Sequence, residues 1–149
     1  MRLALYEPDI APNAGSLIRL GACLGVAIDI IEPCGFLLSE ARFRRAGMDY
    51  LEKADMTRHV SWAAFRQALT GRLILLTAKA SDPYTGFTFA ADDTLMLGRE
   101  SAGVPDAVHA AADARLCIPM RPGLRSINVA QAGAMVLGEA LRQTRGFPA

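Results

Sequence analysis

Thr94-Leu95-Met96-Leu97-Gly98-Arg99-Glu100-Ser101-Ala102-Gly103-Val104-Pro105 is a short apolar run that ends abruptly on a loop holding two glycines, a proline and a carboxylate. Continuous rather than alternating hydrophobicity describes a strand covered on both faces. Glycines at 98 and 103 let backbone come close to a ligand, so the loop reads as a site before it reads as a linker.

Working outward, Arg2 to Tyr6, Val26 to Ile31, Arg72 to Thr77 and Arg115 to Ile118 are further runs of the same kind, and Met56 to Val60 is a more polar one. Helical stretches lie between them. Pro12 suits the first turn of a helix from about Asn13 to Leu24, which Gly25 ends, and Ser61 is placed to cap a helix through about Leu69. A short helix is expected around Arg42, Arg44 and Arg45, and a long one from Ser126 to Arg145. Strands alternating with helices predict a single α/β domain over residues 1–149, with a mainly parallel sheet flanked by helices.

The last helix is apolar on more than one face: Ile127, Ala130, Ala134, Leu137 and Leu141 form one stripe, while Val129, Ala132, Met135, Val136 and Ala140 fall largely off it. A helix apolar nearly all round needs a second cover, and in a chain of 149 residues a second copy is the expected one. This predicts a homodimer.

Composition narrows the class. Hydrophobic residues make up 52% of the chain, enough for a full core. No stretch approaches the roughly 18 apolar residues of a membrane span, and the first residues lack a leader pattern, so the expectation is a soluble cytoplasmic protein. Cys23, Cys34 and Cys117 are far apart and odd in number, which predicts reduced, buried thiols and neither disulfides nor a zinc cluster. Net charge is only +1, but just Lys53 and Lys79 of the 16 basic residues are lysines. Arginine suits phosphate and base stacking; a high-GC genome gives the same bias.

Three loops follow three of these strands: Pro8 to Gly15, Gly98 to Pro105 and Pro119 to Asn128. Ligands of open α/β sheets bind at the carboxyl ends of strands, so such loops can share one pocket. In the first, Asn13 is placed to cap the helix, Gly15 permits close approach, and Arg19 offers a cation for a phosphate or a developing oxyanion. A solvent-facing arginine is the plainer alternative. In the second, Glu100 fixes the loop or binds a ligand group. In the third, Ser126 and Asn128 open the last helix, where free amides suit an anion; ordinary capping explains Ser126 equally well. No Gly-x-Gly-x-x-Gly and no phosphate loop ending in Gly-Lys-Ser/Thr occurs, and His59 and His109 lack metal-spaced partners. Ser81-Asp82-Pro83-Tyr84 reads as a turn.

Taken together, Tyr6-Glu7-Pro8 through Asn13-x-Gly15-x-x-x-Arg19, Leu97-Gly98-Arg99-Glu100-Ser101-Ala102-Gly103-Val104-Pro105, and Ile118-Pro119-Met120 through Ser126-Ile127-Asn128 resemble the three ordered motifs of the SPOUT-superfamily RNA ribose 2′-O-methyltransferases. Ile31-Glu32-Pro33-Cys34-Gly35-Phe36 and Arg44-Arg45-Ala46-Gly47-Met48-Asp49-Tyr50 are similar to the branch that modifies the tRNA wobble nucleotide, cytidine or uridine 34. Val129-Ala130-Gln131 departs from the Leu-Ser-Asn of many members, and Val104 stands where leucine is usual.

The resemblance implies a SPOUT fold with a C-terminal trefoil knot, a dimer, S-adenosylmethionine as cofactor without a metal, and the anticodon region of tRNA as substrate. It implies cofactor contacts at Leu76, Gly98, Ile118 and Ser126, and a catalytic side made of Asn13, Arg19, Glu100 and Asn128, with Arg19 reaching across the dimer. Arg42, Arg44, Arg45, Arg121 and Arg125 are candidate RNA contacts. Methylation of another tRNA or rRNA ribose, and a noncatalytic RNA-binding module, are the alternative functions.

Overall fold

The computed structural model describes residues 1–39, 41 and 50–149. Seven strands, β1 (Arg2–Tyr6), β2 (Ala27–Ile31), β3 (Met56–His59), β4 (Leu73–Leu76), β5 (Asp82–Pro83), β6 (Thr94–Leu97) and β7 (Ala114–Cys117), form one sheet in the order β3-β2-β1-β6-β4-β7-β5. Every strand pairing is parallel. Four helices are described: α1 (Ala11–Leu24), α2 (Trp62–Ala68), α3 (Asp106–Ala111) and α4 (Val129–Thr144).

Strand residues alternate between two apolar layers, which is why the strands read as unbroken hydrophobic runs. Leu3, Leu5, Ile28, Ile30, Ile74, Leu95 and Leu97 pack with Leu17 and Ile18 of α1 and Val136, Leu137 and Leu141 of α4. Their neighbours Ala4, Tyr6, Ile31, Leu73, Leu75 and Met96 face the other way, against Phe65 of α2 and Val108 of α3. Helix α4 approaches closely where it carries Gly133: a Cβ there would lie 2.7 Å from Leu17 Cδ2 and 2.9 Å from Leu97 Cδ1.

The buried carboxylates of these layers are paired. Buried Asp29 accepts from Arg2 Nε at 2.6 Å and lies 2.7 Å from His59 Nε2, and Asp93 receives both Nε and Nη2 of Arg72 at 2.8 Å. Each carboxylate thus enters the interior with its partner, which avoids the cost of an isolated buried charge.

The helix boundaries follow capping chemistry, with two departures from the sequence reading. Gly25 ends α1 in the left-handed region, φ 65°, and Ser61 Oγ accepts from the Ala64 amide at 3.2 Å to start α2. Helix α1, however, begins at Ala11, its N-cap is Ile10, and no side chain caps it. Asn13 is already inside the first turn, so its amide is free for other partners. Helix α4 begins at Val129 rather than Ser126: Asn128 Oδ1 accepts from the amides of Ala130 and Gln131 at 2.9 and 3.3 Å, and Ser126 lies before the cap.

Other expectations are also corrected. Asp82 and Pro83 of the presumed turn pair with β7 as a two-residue edge strand, leading into a 3-10 turn over Tyr84–Gly86. All three cysteines are free, but Cys23 is exposed and Cys34 and Cys117 are only partly covered. Ala134, placed in the apolar stripe of α4, is exposed, because the helix buries Gly133, Val136, Leu137, Ala140 and Leu141 instead. Arg42, Arg44 and Arg45, with the helix expected around them, lie outside the described residues. Among the described residues no helix is long and apolar enough to cross a membrane.

Candidate functional site

The strand order turns back on itself where β6 and β4 follow β1, and the loops at the carboxyl ends of β4, β6 and β7 surround a cavity of about 480 Å³. This is where open parallel sheets bind ligands. Its walls come from residues 75–79, 97–100, 102–104 and 126–129, together with Ile10, Asn13, Ile118 and Met120.

The two glycines of the central loop do different work. Arg99 and Gly103 bond to each other across the turn, N–H to O, at 3.1 and 2.8 Å, and Gly103 takes φ 65°, which a side chain would disfavour. Gly98 sits against that turn: a Cβ on it would lie 2.8 Å from Gly103 C and 2.9 Å from Gly103 Cα. With hydrogen at 98, the loop folds flat on itself and bares backbone to the cavity.

Side-chain hydrogen bonds tie the three loops together. Asn128 Nδ2 donates to Asn13 Oδ1 at 2.9 Å, and Asn13 Nδ2 donates to Glu100 Oε1 at 3.1 Å. Asn128 spends its own oxygen on the first amides of α4, so its orientation is fixed by the helix. Each amide therefore has a defined direction: Asn128 donates, Asn13 relays, Glu100 accepts. Glu100 also accepts from the Asp9 amide through Oε2 at 3.2 Å, and its own amide donates to Asp9 Oδ1 at 3.1 Å. Ser101 Oγ donates to Asp9 Oδ2.

These contacts set the charges apart. Hydrogen bonding from Glu100 and Ser101 holds the Asp9 carboxyl down at about 2, whereas burial, and then the neighbouring Asp9, push Glu100 above the ordinary carboxylate range. Asp9 therefore contributes stability that is present above its unfolded value and is lost as pH falls toward about 2. Glu100 acts in the opposite sense: its contribution is full at low pH and is lost as pH rises through its elevated value.

Of the residues singled out in the sequence, Asn13, Glu100, Asn128, Leu76, Gly98, Ile118 and Ser126 all line this one cavity. Arg19 does not: it is exposed on α1, its guanidinium 4.7 Å from the centre of the Tyr50 ring. Arg121 and Arg125 are exposed on the loop that runs past the cavity. Asp9 was missed; a carboxylate beside the prolines of the Pro8 to Gly15 loop was its signal. Among the described residues no group of three His, Cys, Asp or Glu side chains is arranged to hold a metal.

Residues 1–138 match the SpoU rRNA Methylase family. The chain belongs to this family. A protein of Beijerinckia indica named tRNA (cytidine(34)-2'-O)-methyltransferase is 65% identical over 95% of this chain and 90% of its own length. A solved structure described as giving insight into the 2-OH methylation of C/U34 on tRNA is 40% identical, covers 95% of this chain and 94% of its own, and superposes with a TM-score of 0.90. The SpoU methyltransferase AviRb of Streptomyces viridochromogenes, solved in complex with AdoMet, is 24% identical with a TM-score of 0.81, covering 96% of this chain and 57% of its own, a likeness of fold alone.

The close approach at Gly98 has a measurable cost. Gly98→Ala is expected to lose about 1–3 kcal/mol in urea denaturation, because the added methyl overpacks against backbone. Gly86→Ala, where nothing lies within 4 Å of the added carbon, serves as the control and should stay within about 0.5 kcal/mol of the parent. Equal stability of the two variants contradicts the packing described.

Proposed function

We propose that the protein is an S-adenosylmethionine-dependent methyltransferase that modifies the ribose 2′-hydroxyl of the wobble nucleotide, position 34, of tRNA. The observation that carries this reading is the strand-end cavity closed by the Asn128–Asn13–Glu100 relay, in a chain 65% identical to a protein named for that activity. A cytoplasmic location follows from the same reading.

The cavity suits the cofactor. Its volume of about 480 Å³ and its chiefly apolar lining fall within the usual range for small-molecule sites, and Gly98 leaves backbone amides and carbonyls bare for an adenosyl group. Leu76, Gly98, Ile118 and Ser126 would hold S-adenosylmethionine, which supplies a methyl group on a sulfonium, already attached to a good leaving group. The chain's own part is to hold a ribose hydroxyl in line and stabilise charge growing on its oxygen. Asn13 and Asn128, oriented by their hydrogen bonds, line the cavity where that hydroxyl must sit. With the methyl group supplied by the cofactor, the proton of the ribose hydroxyl would leave through phosphate or water.

A guanidinium holds its proton, so Arg19 acts as a clamp on a phosphate and on the developing alkoxide rather than as a base. Because Arg19 lies outside the cavity of its own chain, a two-fold partner has to bring it there. The exposed stripe Ser16, Arg19 and Cys23 of α1 and the exposed Gln131, Ala134 and Met135 of α4 support a second copy as that partner. Arg121 and Arg125 contact the RNA backbone, together with Arg42, Arg44 and Arg45. A C-terminal trefoil knot in one domain of residues 1–149 belongs to the same proposal, supported by the strand order β6-β4-β7-β5 at that end.

Mapping ribose methylation in tRNA and rRNA from cells with and without the gene tests the function: loss confined to position 34 is expected. Loss at another ribose contradicts the substrate, and no loss anywhere contradicts the activity. Hybrid dimers test the clamp. Arg19→Ala and Asn128→Ala are each expected to be inactive alone, yet equal mixing of subunits restores about a quarter of parental activity, since half the dimers then hold one complete site. No recovery places Arg19 elsewhere. For the RNA contacts, log affinity for tRNA should fall linearly with log salt, and the Arg121→Ala, Arg125→Ala double variant should flatten that slope by about 1–2. An unchanged slope removes both residues from the interface.

A further inference from the structure

Asp9 is absent from the cavity wall, yet both its backbone and its side chain are bonded to the loop that carries Glu100. Its amide donates to Glu100 Oε2 at 3.2 Å, while its carboxylate accepts the Glu100 amide at 3.1 Å and the Ser101 hydroxyl. Backbone and side chain of the two residues thus grip each other reciprocally. On the opposite side the segment after β2 presses in: the Gly35 amide donates to Pro8 O at 2.9 Å, and a Cβ on Gly35 would lie 2.8 Å from Asp9 Cα. Asp9 is therefore clamped between the loops that leave β2 and β6, and has little room to move.

We propose that Asp9 is a positioning residue for methyl transfer, which fixes the Glu100 side chain and through it the Asn13–Asn128 pair that faces the cavity. The inference rests on the function proposed above. Glu100 has two oxygens to aim: Oε2 is taken by the Asp9 amide, which leaves Oε1 directed at Asn13 Nδ2. That choice sets the Asn13 amide with nitrogen toward Glu100 and oxygen toward Asn128. Take away the Asp9 carboxylate and two donors, the Glu100 amide and the Ser101 hydroxyl, lose their acceptor, the turn loosens, and the relay loses its fixed end. Asp9 is the titratable side chain that acts on Glu100; Asn13 beside it is neutral, and the Arg99–Glu7 ion pair, at 3.4 Å, lies one residue further along. Removing the Asp9 charge should therefore lower the pH at which Glu100 ionises.

The test uses the full chain. Asp9→Asn preserves size but turns one acceptor oxygen into a donor, so that one of the two groups it holds, the Glu100 amide or the Ser101 hydroxyl, loses its acceptor, and Asp9→Glu preserves the charge. The expected result for Asp9→Asn is a kcat reduced by about tenfold or more with KM for S-adenosylmethionine changed less than about threefold, the pattern of lost alignment rather than lost binding. Asp9→Glu should recover part of that kcat. Carbon-13 NMR titration, with the Glu100 signal assigned through Glu100→Gln, should show Glu100 ionising at lower pH in Asp9→Asn than in the parent. Parental kcat in Asp9→Asn, a loss carried by KM alone, or an unmoved Glu100 titration overturns the proposal. If Asp9→Asn fails to fold, Ser101→Ala removes one bond to Asp9 alone and should lower kcat by about two- to fivefold, with unchanged kcat overturning it. A parent that methylates no tRNA contradicts the functional reading instead, and the Glu100 titration still decides whether Asp9 sets that carboxyl.

Discussion

Loops from separate strands make one site only if their relative positions are fixed, and in this protein the fixing is done by directional hydrogen bonds between neutral amides and one carboxyl. Asn128 is oriented by the first amides of α4, Asn13 by Asn128 and Glu100, and Glu100 by Asp9. Each bond is worth only about 1 kcal/mol net, but reversing any amide would set donor against donor or acceptor against acceptor. The relay thus specifies geometry more than it adds stability, which is what in-line chemistry requires.

The sheet beneath makes the relay possible. Parallel strands buried on both faces place all their carboxyl ends at one edge, and the helices α1 and α4, packed on one layer, bring Asn13 and Asn128 to that edge from residues more than a hundred positions apart. Gly133 allows this approach, since a side chain there would collide with Leu17 and Leu97. Gly98 does the same for the central loop. Small residues at contact points set the spacing, and the polar side chains then lock it.

Much of this was legible in the sequence because burial on both faces leaves continuous apolar runs, and because turns that require glycine or proline advertise themselves. The strands other than β5, the cap at Ser61, the end of α1 at Gly25, and the meeting of the three loops all follow from such local signals. What was not legible depended on partners distant in the chain. Asn13 looked like a cap because asparagine usually caps, but its amide is claimed by Glu100 and Asn128. Ser126 looked like the cap of α4, a position that Asn128 takes. Asp9 was missed for the same reason: a carboxylate beside prolines is a weak signal, and its partners, Glu100 and Ser101, are some ninety residues away. The expected burial of the cysteines failed because Cys23 falls on the exposed side of α1.

The geometry of the site depends on the coupling between Asn13 and Asn128. A double-mutant cycle of Asn13→Ala, Asn128→Ala and the combined variant, read as S-adenosylmethionine affinity by calorimetry, measures it directly. The relay predicts that the double variant loses less than the sum of the single losses, with an interaction energy of about 0.5–3 kcal/mol. Losses that simply add would mean that the two loops hold their places independently and that no relay couples them.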